Sequence, residues 1–274
     1  MKFFFCAIVF SLLSLSCSKP PKIPPPAELR PAESSGEKED FIEDYWGSFL
    51  DQAGLPDSLK LKITANLMEG PDFVMELLAV MEGDPYLYQL VDKQHSLGAD
   101  YVPADLVELT NGSYRVSRQG LMLRMAAAES LEAMAAASLL DGITLTAASA
   151  YRSYEYQTEV YNRNVREMGQ VAADRESAQP GHSQHQLGLV LDFYPIDDDF
   201  AKTSASLWLQ HNAARFGWSL SFPDGYEDIT GYRWESWHYR YLGQDLAAFT
   251  EKYLDGIQQY ALQFILAWQL NDED

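Results

Sequence analysis

Two short segments hold the residues whose types and spacing could perform chemistry. The segment Ser183–Asp192 reads SQHQLGLVLD and the segment Glu235–His238 reads ESWH, so together they supply two histidines, an aspartate and a glutamate. Two imidazoles and one carboxylate are a donor set that suits zinc, and a further carboxylate beside the metal could move protons. The two segments therefore predict a catalytic metal site.

The spacing in the first segment requires a turn. His185 and Asp192 are seven residues apart, an odd spacing that places them on opposite faces of a regular strand. They converge only if the chain turns before Leu189, and Gly188 permits such a turn. Asp192 lies in the apolar stretch VLDF, where a metal ion would remove the penalty of burying an unpaired carboxylate. Taken singly, a loop histidine and a turn carboxylate are the better explanations; the combination favours the metal site.

The second segment adds a third ligand and a base. If His238 binds the metal from a strand, Glu235 falls in a less regular stretch just before it and could accept a proton from water. The alternative for this pair alone is a surface carboxylate beside a packed histidine. His182 adjoins the site and is predicted to support the ligands rather than to bind metal. No ligand role is predicted for His211.

Composition excludes some classes of partner. The chain has 274 residues and a net charge of −20, from 40 acidic and 20 basic residues. Such an acidic chain is not expected to bind nucleic acid, which requires clustered Lys and Arg. The two cysteines, Cys6 and Cys17, both fall in the first 17 residues. The rest of the chain therefore has neither a disulfide framework nor a cysteine-ligated metal.

The N-terminus is typical of an exported protein. Residues 1–17 predict a lipoprotein-type signal peptide, in which a short apolar run ends at Cys17 as the lipid-bearing residue. The alternative is an ordinary signal peptide with an incidental cysteine. Both predict export, and lipidation would anchor the protein to a membrane of the cell envelope without a spanning helix. Residues 18–40 are rich in proline and predict an extended tether.

The remaining pattern predicts an α+β fold: a small, mainly antiparallel sheet with flanking helices, plus an N-terminal helical extension. The acidic extension covers 41–85, and a C-terminal helix covers 247–274. Predicted helices span Phe41–Leu50, Ser58–Met68, Asp72–Met81, Ser117–Leu140, Ser153–Val165, Ser204–Phe216 and Asp245–Leu270. Predicted strands span Ile143–Ala148, Val190–Tyr194, Ser219–Phe222 and Trp237–Tyr241, with a loop over Arg175–Gly181.

Several linked motifs resemble one family. The segments SAYRSYEYQ, PGHSQHQLGLVLDF, WLQHNAARFGWSLSFP and ITGYRWESWHYRYLG occur in that order. They resemble the VanY-type D-alanyl-D-alanine carboxypeptidases, zinc peptidases of peptidoglycan that include L,D-carboxypeptidases. The resemblance covers Tyr86–Gly243 and implies a hedgehog/D-Ala-D-Ala carboxypeptidase-like fold, with a zinc carboxypeptidase domain over 86–246.

The resemblance also implies roles for individual residues. It implies a Zn²⁺ site with a catalytic base and a clamp for the substrate's terminal carboxylate, a group that a guanidinium binds bidentately. The implied zinc ligands are His185, Asp192 and His238, the base is Glu235, the clamp is Arg152, and further substrate-binding residues are Gln157 and Ser183. Val190 stands where the family has a small alanine and could tighten the pocket.

The expected activity is removal of the terminal D-alanine from peptidoglycan stem peptides. L,D-carboxypeptidase and endopeptidase action on peptidoglycan remain alternatives, because the motifs specify the hydrolytic groups and not the stereochemistry beside them. A non-catalytic zinc or cell-wall binding module is a third alternative. It would need neither Glu235 nor Arg152, and both are present.

Overall fold

A computed structural model describes residues 46–272. The predicted signal peptide, Cys17 and the tether over 18–40 lie outside the described residues, as does the start of the extension. Within the described range, no helix combines the length and the apolar character needed to cross a membrane.

Helices and short strands alternate irregularly in the described part of the chain. The helices are α1 Ser48–Gln52, α2 Asp57–Glu69, α3 Asp72–Met81, α4 Met125–Leu140, α5 Tyr154–Met168, α6 Gln170–Glu176, α7 Ser204–Asn212, α8 Glu227–Thr230, α9 Gln244–Tyr253 and α10 Gln258–Asp272. The strands are β1 Leu106–Glu108, β2 Arg115–Val116, β3 Met122–Arg124, β4 Thr146–Ser149, β5 Val190–Phe193, β6 Trp218–Leu220 and β7 His238–Tyr241. Single turns of 3₁₀ helix occur at Pro85–Leu87, Gln184–Leu187, Asp198–Lys202 and Ala213–Phe216.

A five-stranded sheet forms the centre of the fold, in the order β2-β4-β5-β7-β6. Only the β2–β4 pair is parallel; the other three pairs are antiparallel. Strands β1 and β3 form a separate antiparallel pair. The predicted α+β class with a small, mainly antiparallel sheet is therefore confirmed.

The register of the three middle strands positions the predicted metal ligands. Asp192 on β5 lies directly opposite His238 on β7 and opposite Ser149 on β4. Directly opposed residues on neighbouring strands project from the same face with their Cβ atoms about 5 Å apart. One end of the sheet therefore brings together side chains that lie far apart in the sequence.

The described residues form two hydrophobic clusters. One packs the sheet against α4 and α7, with Leu131, Leu191 and Trp218 among its fully buried members. The other joins the N-terminal helices α1–α3 to α9 and α10 and is rich in aromatic rings. We call α1–α3, α9 and α10 the helical module. The predicted N-terminal extension thus packs against the C-terminal helices rather than standing alone.

Most predicted elements are present with ends shifted by a few residues. Helices α2, α3 and α5 match their predictions closely, and Ser153 caps α5 by accepting a hydrogen bond from the backbone N–H of Tyr156 at 3.2 Å. The Ser204–Phe216 helix is present as α7 followed by a 3₁₀ turn that ends at Gly217, which has φ 83°.

Three predicted boundaries are wrong. The helix predicted for Ser117–Leu140 begins only at Met125, because Gly120 turns the chain at φ 77° and residues 121–124 alternate between buried and half-buried, as a strand does. The continuous helix predicted for Asp245–Leu270 is two helices, since Asp255 and Gly256 adopt left-handed φ values of 54° and 73° between them. The loop predicted from Arg175 starts after α6, at Ser177.

The aromatic packing of the helical module should dominate its stability. Phe73 is 1% exposed and stacks on Phe264 with ring centroids 5.7 Å apart. Phe73→Ala should therefore lower the free energy of unfolding by about 3–5 kcal/mol, measured by chemical denaturation. Leu61→Ala is the control, because Leu61 is 72% exposed and its truncation should change stability by less than about 0.5 kcal/mol. Equal effects of the two variants would contradict this packing.

Candidate active site

The three predicted metal ligands converge at one end of the sheet. Nε2 of His185 lies 3.1 Å from Oδ2 of Asp192, and Nδ1 of His238 lies 3.1 Å from Oδ1 of Asp192. One ligand atom from each residue lies within 4.8 Å of the other two, and all three side chains are buried. Within residues 46–272 these are the histidine and acidic side chains that form such a group.

The predicted turn brings His185 to Asp192. Residues 184–187 form a 3₁₀ turn, which Ser183 caps by accepting a hydrogen bond from the backbone N–H of His185 at 3.4 Å. Gly188 follows in the left-handed region at φ 69° and directs the chain into β5. The sequence prediction that Gly188 reconciles the odd spacing is confirmed.

Hydrogen bonding fixes the orientation of His185. Its Nδ1 donates to the backbone carbonyl of Ala150 at 2.7 Å, which leaves Nε2 as the nitrogen that faces Asp192. Burial lowers the pKa of His185 to about 4, so the ring is neutral and its Nε2 lone pair is free to bind a metal. A carbonyl partner for the distal nitrogen is the usual arrangement for a metal-binding imidazole.

The carboxylate between the histidines is held ionised. Burial alone would raise the pKa of Asp192, but the adjacent His185 and His238 produce a net lowering. For His238, burial alone would lower the pKa, but the neighbouring carboxylates of Asp192 and Glu235 raise it to about 9. Without a metal, a protonated His238 would balance the negative charge of Asp192 and Glu235. A bound cation could balance this charge instead.

The donor set fits a zinc ion. Two imidazoles and one carboxylate are ligands that zinc binds readily, with room for water or substrate as a further ligand. Oδ1 of Asp192 is buried and accepts no hydrogen bond of good geometry from the described residues. A buried carboxylate oxygen without a donor is unfavourable, and a bound cation would satisfy it. His185, Asp192 and His238 are therefore the residues that would hold the metal.

Glu235 lies beside this group, just before β7, as predicted. Its Oε2 is 3.3 Å from Nδ1 of His238. Burial raises the pKa of Glu235, although the neighbouring His238 opposes that shift. A buried carboxyl group with a raised pKa is suited to both accepting and returning a proton near neutral pH.

Arg152 faces the same cleft from the loop between β4 and α5. Its guanidinium donates to Oε1 of Gln157 at 2.8 Å and to Oγ of Ser149 at 3.1 Å. Gln157 in turn donates from Nε2 to the carbonyl of Ala178 at 2.6 Å. Gln157 therefore positions Arg152, with both ends of its amide engaged by the protein.

The groups line one cleft with a volume of about 400 Å³. Its walls include Ser183, His182 and Trp237, and Arg233 lies beside them. Sequence reasoning did not select Arg233. Its guanidinium lies 5.4 Å from the ring centroid of Trp237 and donates to Oδ1 of Asp198 at 2.8 Å. The only signal for Arg233 in the sequence is its position two residues before Glu235, a spacing that names no chemistry by itself.

The close packing around Gly188 yields a test of the metal site. A Cβ atom at this position would lie 2.9 Å from Cδ2 of Leu106 and 3.1 Å from Cγ of Arg124. Gly188→Ala should therefore displace the turn that carries His185 and weaken zinc affinity by about tenfold or more, measured by competition with a chelator.

Gly142 provides a matched control for this variant. It has a similar φ of 75°, but a Cβ atom there would meet nothing within 4 Å. Gly142→Ala should introduce comparable backbone strain, of about 1–2 kcal/mol, and leave zinc affinity unchanged. Equal zinc affinities for the two variants would show that the turn does not position His185.

Comparisons with known sequences identify relatives over the same region. A family model described as VanY, D-alanyl-D-alanine carboxypeptidase, matches residues 120–244. The putative carboxypeptidase YodJ of Bacillus subtilis (strain 168) is 34% identical over 177 residues, which are 62% of this chain and 65% of YodJ. A D-alanyl-D-alanine carboxypeptidase of Enterococcus faecalis (strain ATCC 700802 / V583) is 31% identical over 200 residues, 69% of this chain and 70% of that protein.

The fold is also similar to solved structures of an LD-carboxypeptidase and a D,D-pentapeptidase. The LD-carboxypeptidase LdcB matches with a TM-score of 0.58 and 32% identity, over 64% of this chain and 84% of LdcB. A variant of the vancomycin resistance D,D-pentapeptidase VanY, in complex with Zn(II), matches with a TM-score of 0.54 and 30% identity, over 65% of this chain and 98% of that protein. With a buried His-Asp-His group, an adjacent glutamate and relatives of this similarity, the chain belongs to the VanY family of D-alanyl-D-alanine carboxypeptidases.

Proposed function

We propose that the protein is a zinc-dependent carboxypeptidase that removes the terminal D-alanine from peptidoglycan stem peptides. One observation carries the proposal: a single cleft contains the buried ligand group, a glutamate beside it and an arginine that can bind a free carboxylate. A module that only binds zinc or cell wall has no use for both Glu235 and Arg152. The relatives, whose names describe D-alanyl-D-alanine carboxypeptidases, support the same assignment.

Zinc, when bound, supplies Lewis acidity that acidifies water and polarises the scissile carbonyl. Glu235 accepts a proton from the attacking water and returns it to the leaving amine. Burial raises the pKa of Glu235, which makes it a stronger proton acceptor than an ordinary carboxylate. Asp192 lies between His185 and His238, with one ring nitrogen of each 3.1 Å from its carboxylate, so that the three side chains would hold the zinc together.

Arg152 explains why the substrate should be a chain end. Gln157 and Ser149 hold its guanidinium at the cleft, so little conformational freedom is lost when a carboxylate binds. Arg152, Asp192 and Glu235 line the same cleft. A free carboxylate bound to Arg152 presents the preceding peptide bond to Glu235. A peptide bond in the interior of a chain has no free carboxylate next to it and is not held in this way.

L,D-carboxypeptidase action is a second candidate, and the likeness to LdcB favours it. Both activities use the same hydrolytic groups and differ in the stereochemistry of the residue before the scissile bond. Zinc-loaded protein incubated with a pentapeptide stem ending in D-Ala-D-Ala should release one alanine, detected by mass spectrometry. A tetrapeptide stem that loses its last residue while the pentapeptide remains intact would favour L,D action; hydrolysis of neither would refute both candidates.

The role of Glu235 can be separated from metal binding. Glu235→Gln preserves the size of the side chain but removes the proton acceptor, so kcat should fall by about 10²–10⁴ while zinc affinity stays within about threefold. Zinc content and peptide hydrolysis are measured on the same sample. Glu227→Gln is the matched control, since Glu227 pairs with Arg175 on the surface and its loss should leave kcat unchanged. Full activity of Glu235→Gln would contradict the mechanism.

We also propose that the protein is exported and attached to a membrane of the cell envelope through a lipid on Cys17. The support is the apolar run that ends at this cysteine and the proline-rich segment that follows. In a host that processes lipoproteins, the wild-type protein should fractionate with membranes and Cys17→Ser should not. Cys6→Ser is the matched control and should stay with the membranes. Membrane association of Cys17→Ser would overturn the proposal.

A further inference from the structure

A second hollow adjoins the catalytic cleft and shares a wall with it. The hollow has a volume of about 290 Å³, and His182, Ser177 and Tyr232 line both spaces. Its other walls are polar and include Lys93 and Asp174. A carboxypeptidase substrate has its free carboxylate in the cleft, so the peptide before the scissile bond must leave the cleft along one of its walls. The shared wall at His182 is such a route, and it suits a polar peptide.

His182 is oriented by a backbone carbonyl and not by a neighbouring side chain. Its Nδ1 donates to the carbonyl of Asp92 at 2.7 Å, so in the neutral ring Nε2 is a hydrogen-bond acceptor. Within the described residues no hydrogen bond involves Nε2, and the ring is half-buried at the junction of the two spaces. His182 therefore presents a fixed acceptor to whatever passes between cleft and hollow.

The carbonyl that orients His182 is itself held by a buried network. Oδ1 of Asp92 accepts from the backbone N–H groups of Gln94 and His95 at 2.8 and 2.9 Å, and from Nδ1 of His95 at 2.8 Å. Oδ2 accepts from Nε2 of Gln259 at 2.8 Å, and both of these side chains are buried. Gln259 lies in the first turn of α10, so the helical module reaches the wall of the cleft through two hydrogen bonds.

Gln258, which precedes Gln259, makes a second connection, to the turn Gln184–Leu187 that carries His185. Nε2 of Gln258 donates to Oγ of Ser221 at 3.1 Å, and Ser221 donates to Oε1 of Gln184 at 2.8 Å. Gln184 directly precedes the metal ligand His185. The first turn of α10 is therefore connected to two residues of the segment 182–185, His182 and Gln184. Yet α10 lies outside the part of the chain that the family model matches.

We propose that His182 binds the substrate peptide before the scissile bond, with Nε2 accepting a hydrogen bond from a peptide N–H, and that Gln259 positions His182 through Asp92. The proposal rests on the proposed carboxypeptidase function and specifies where the rest of the substrate lies. It makes the helical module a determinant of substrate binding, acting through a positioning residue rather than through contact with the reacting atoms.

Substrate length separates this role from a structural one. His182→Phe keeps an aromatic ring and removes both nitrogens, so KM for a stem pentapeptide should rise about tenfold, the loss of about one hydrogen bond, with kcat changed less than twofold. An acylated D-Ala-D-Ala dipeptide lacks the earlier stem residues that the proposal places at His182, so its KM should change less than twofold. Equal increases in KM for the two substrates, or no increase for either, would overturn the proposal.

The positioning role of Gln259 has its own matched control. Gln259→Leu should raise KM for the pentapeptide severalfold, whereas Gln263→Leu makes the same replacement in the same helix, at a residue whose Oε1 has no hydrogen-bond partner, and should leave KM unchanged. Zinc affinity, measured by chelator competition, should stay unchanged in both variants. If Gln263→Leu raises KM as much as Gln259→Leu, the effect is loss of helix stability and the positioning role is refuted.

Two readouts do not depend on hydrolysis. In wild-type protein the ¹⁵N shifts of the His182 ring should report a proton on Nδ1, and Gln259→Leu should mix the tautomers. Zinc-loaded Glu235→Ala should bind the pentapeptide more tightly by calorimetry than the double variant that also carries His182→Phe. Absence of hydrolysis by the wild type would refute the proposed function alone, while equal calorimetric affinities or an Nδ1 without a proton would refute the inference about His182.

Discussion

The buried carboxylate of Asp192 is the interaction on which the rest of the site depends. Burying an ionised carboxylate is unfavourable unless cations or strong donors surround it. In this fold one ring nitrogen of His185 and one of His238 lie 3.1 Å from the carboxylate, and one carboxylate oxygen has no well-aligned donor. The structure therefore holds a site whose electrostatics improve when a divalent cation binds. This explains why a charged group can sit in an apolar strand of the central sheet.

The sheet register and one turn together satisfy this requirement. Antiparallel pairing places Asp192 opposite His238 with no special local geometry, since both residues lie in regular strands. His185 is positioned differently, because it lies on a 3₁₀ turn that ends at the left-handed Gly188, which is packed against Leu106 and Arg124. The site thus combines Asp192 and His238, which lie on paired strands, with His185, which lies on a turn. The residues packed around that turn determine how accurately His185 is placed as the third metal ligand that the fold would supply.

The helical module extends this dependence beyond the sheet. Its aromatic cluster forms a core separate from that of the sheet. Yet Gln258 and Gln259 in α10 make buried hydrogen bonds to Ser221 and Asp92. Ser221 in turn donates to Gln184, the first residue of the turn that carries His185, and the carbonyl of Asp92 accepts from His182, two residues before that turn. Buried hydrogen bonds of this kind favour one relative orientation of the helices and the sheet, because another orientation would leave buried polar groups unpaired and each would carry a desolvation penalty. The module is therefore coupled to the site in a defined orientation.

The sequence by itself predicted the donor set and the glutamate beside it, because these depend on residue type and short spacing, and the resemblance to a family predicted Arg152 as the carboxylate clamp. It also indicated the need for a turn at Gly188 and the class of the fold. The local pattern could not show that the segment before Met125 is a strand, nor that the C-terminal helix breaks at Asp255, since both depend on pairing and packing partners far away in the chain. Only the tertiary structure decided that Gln157 supports Arg152, that Arg233 joins the cleft wall, and that Gln259 reaches Asp92 across 167 residues. Contacts of that range leave no periodic signal in a sequence, because either partner alone is an ordinary polar residue.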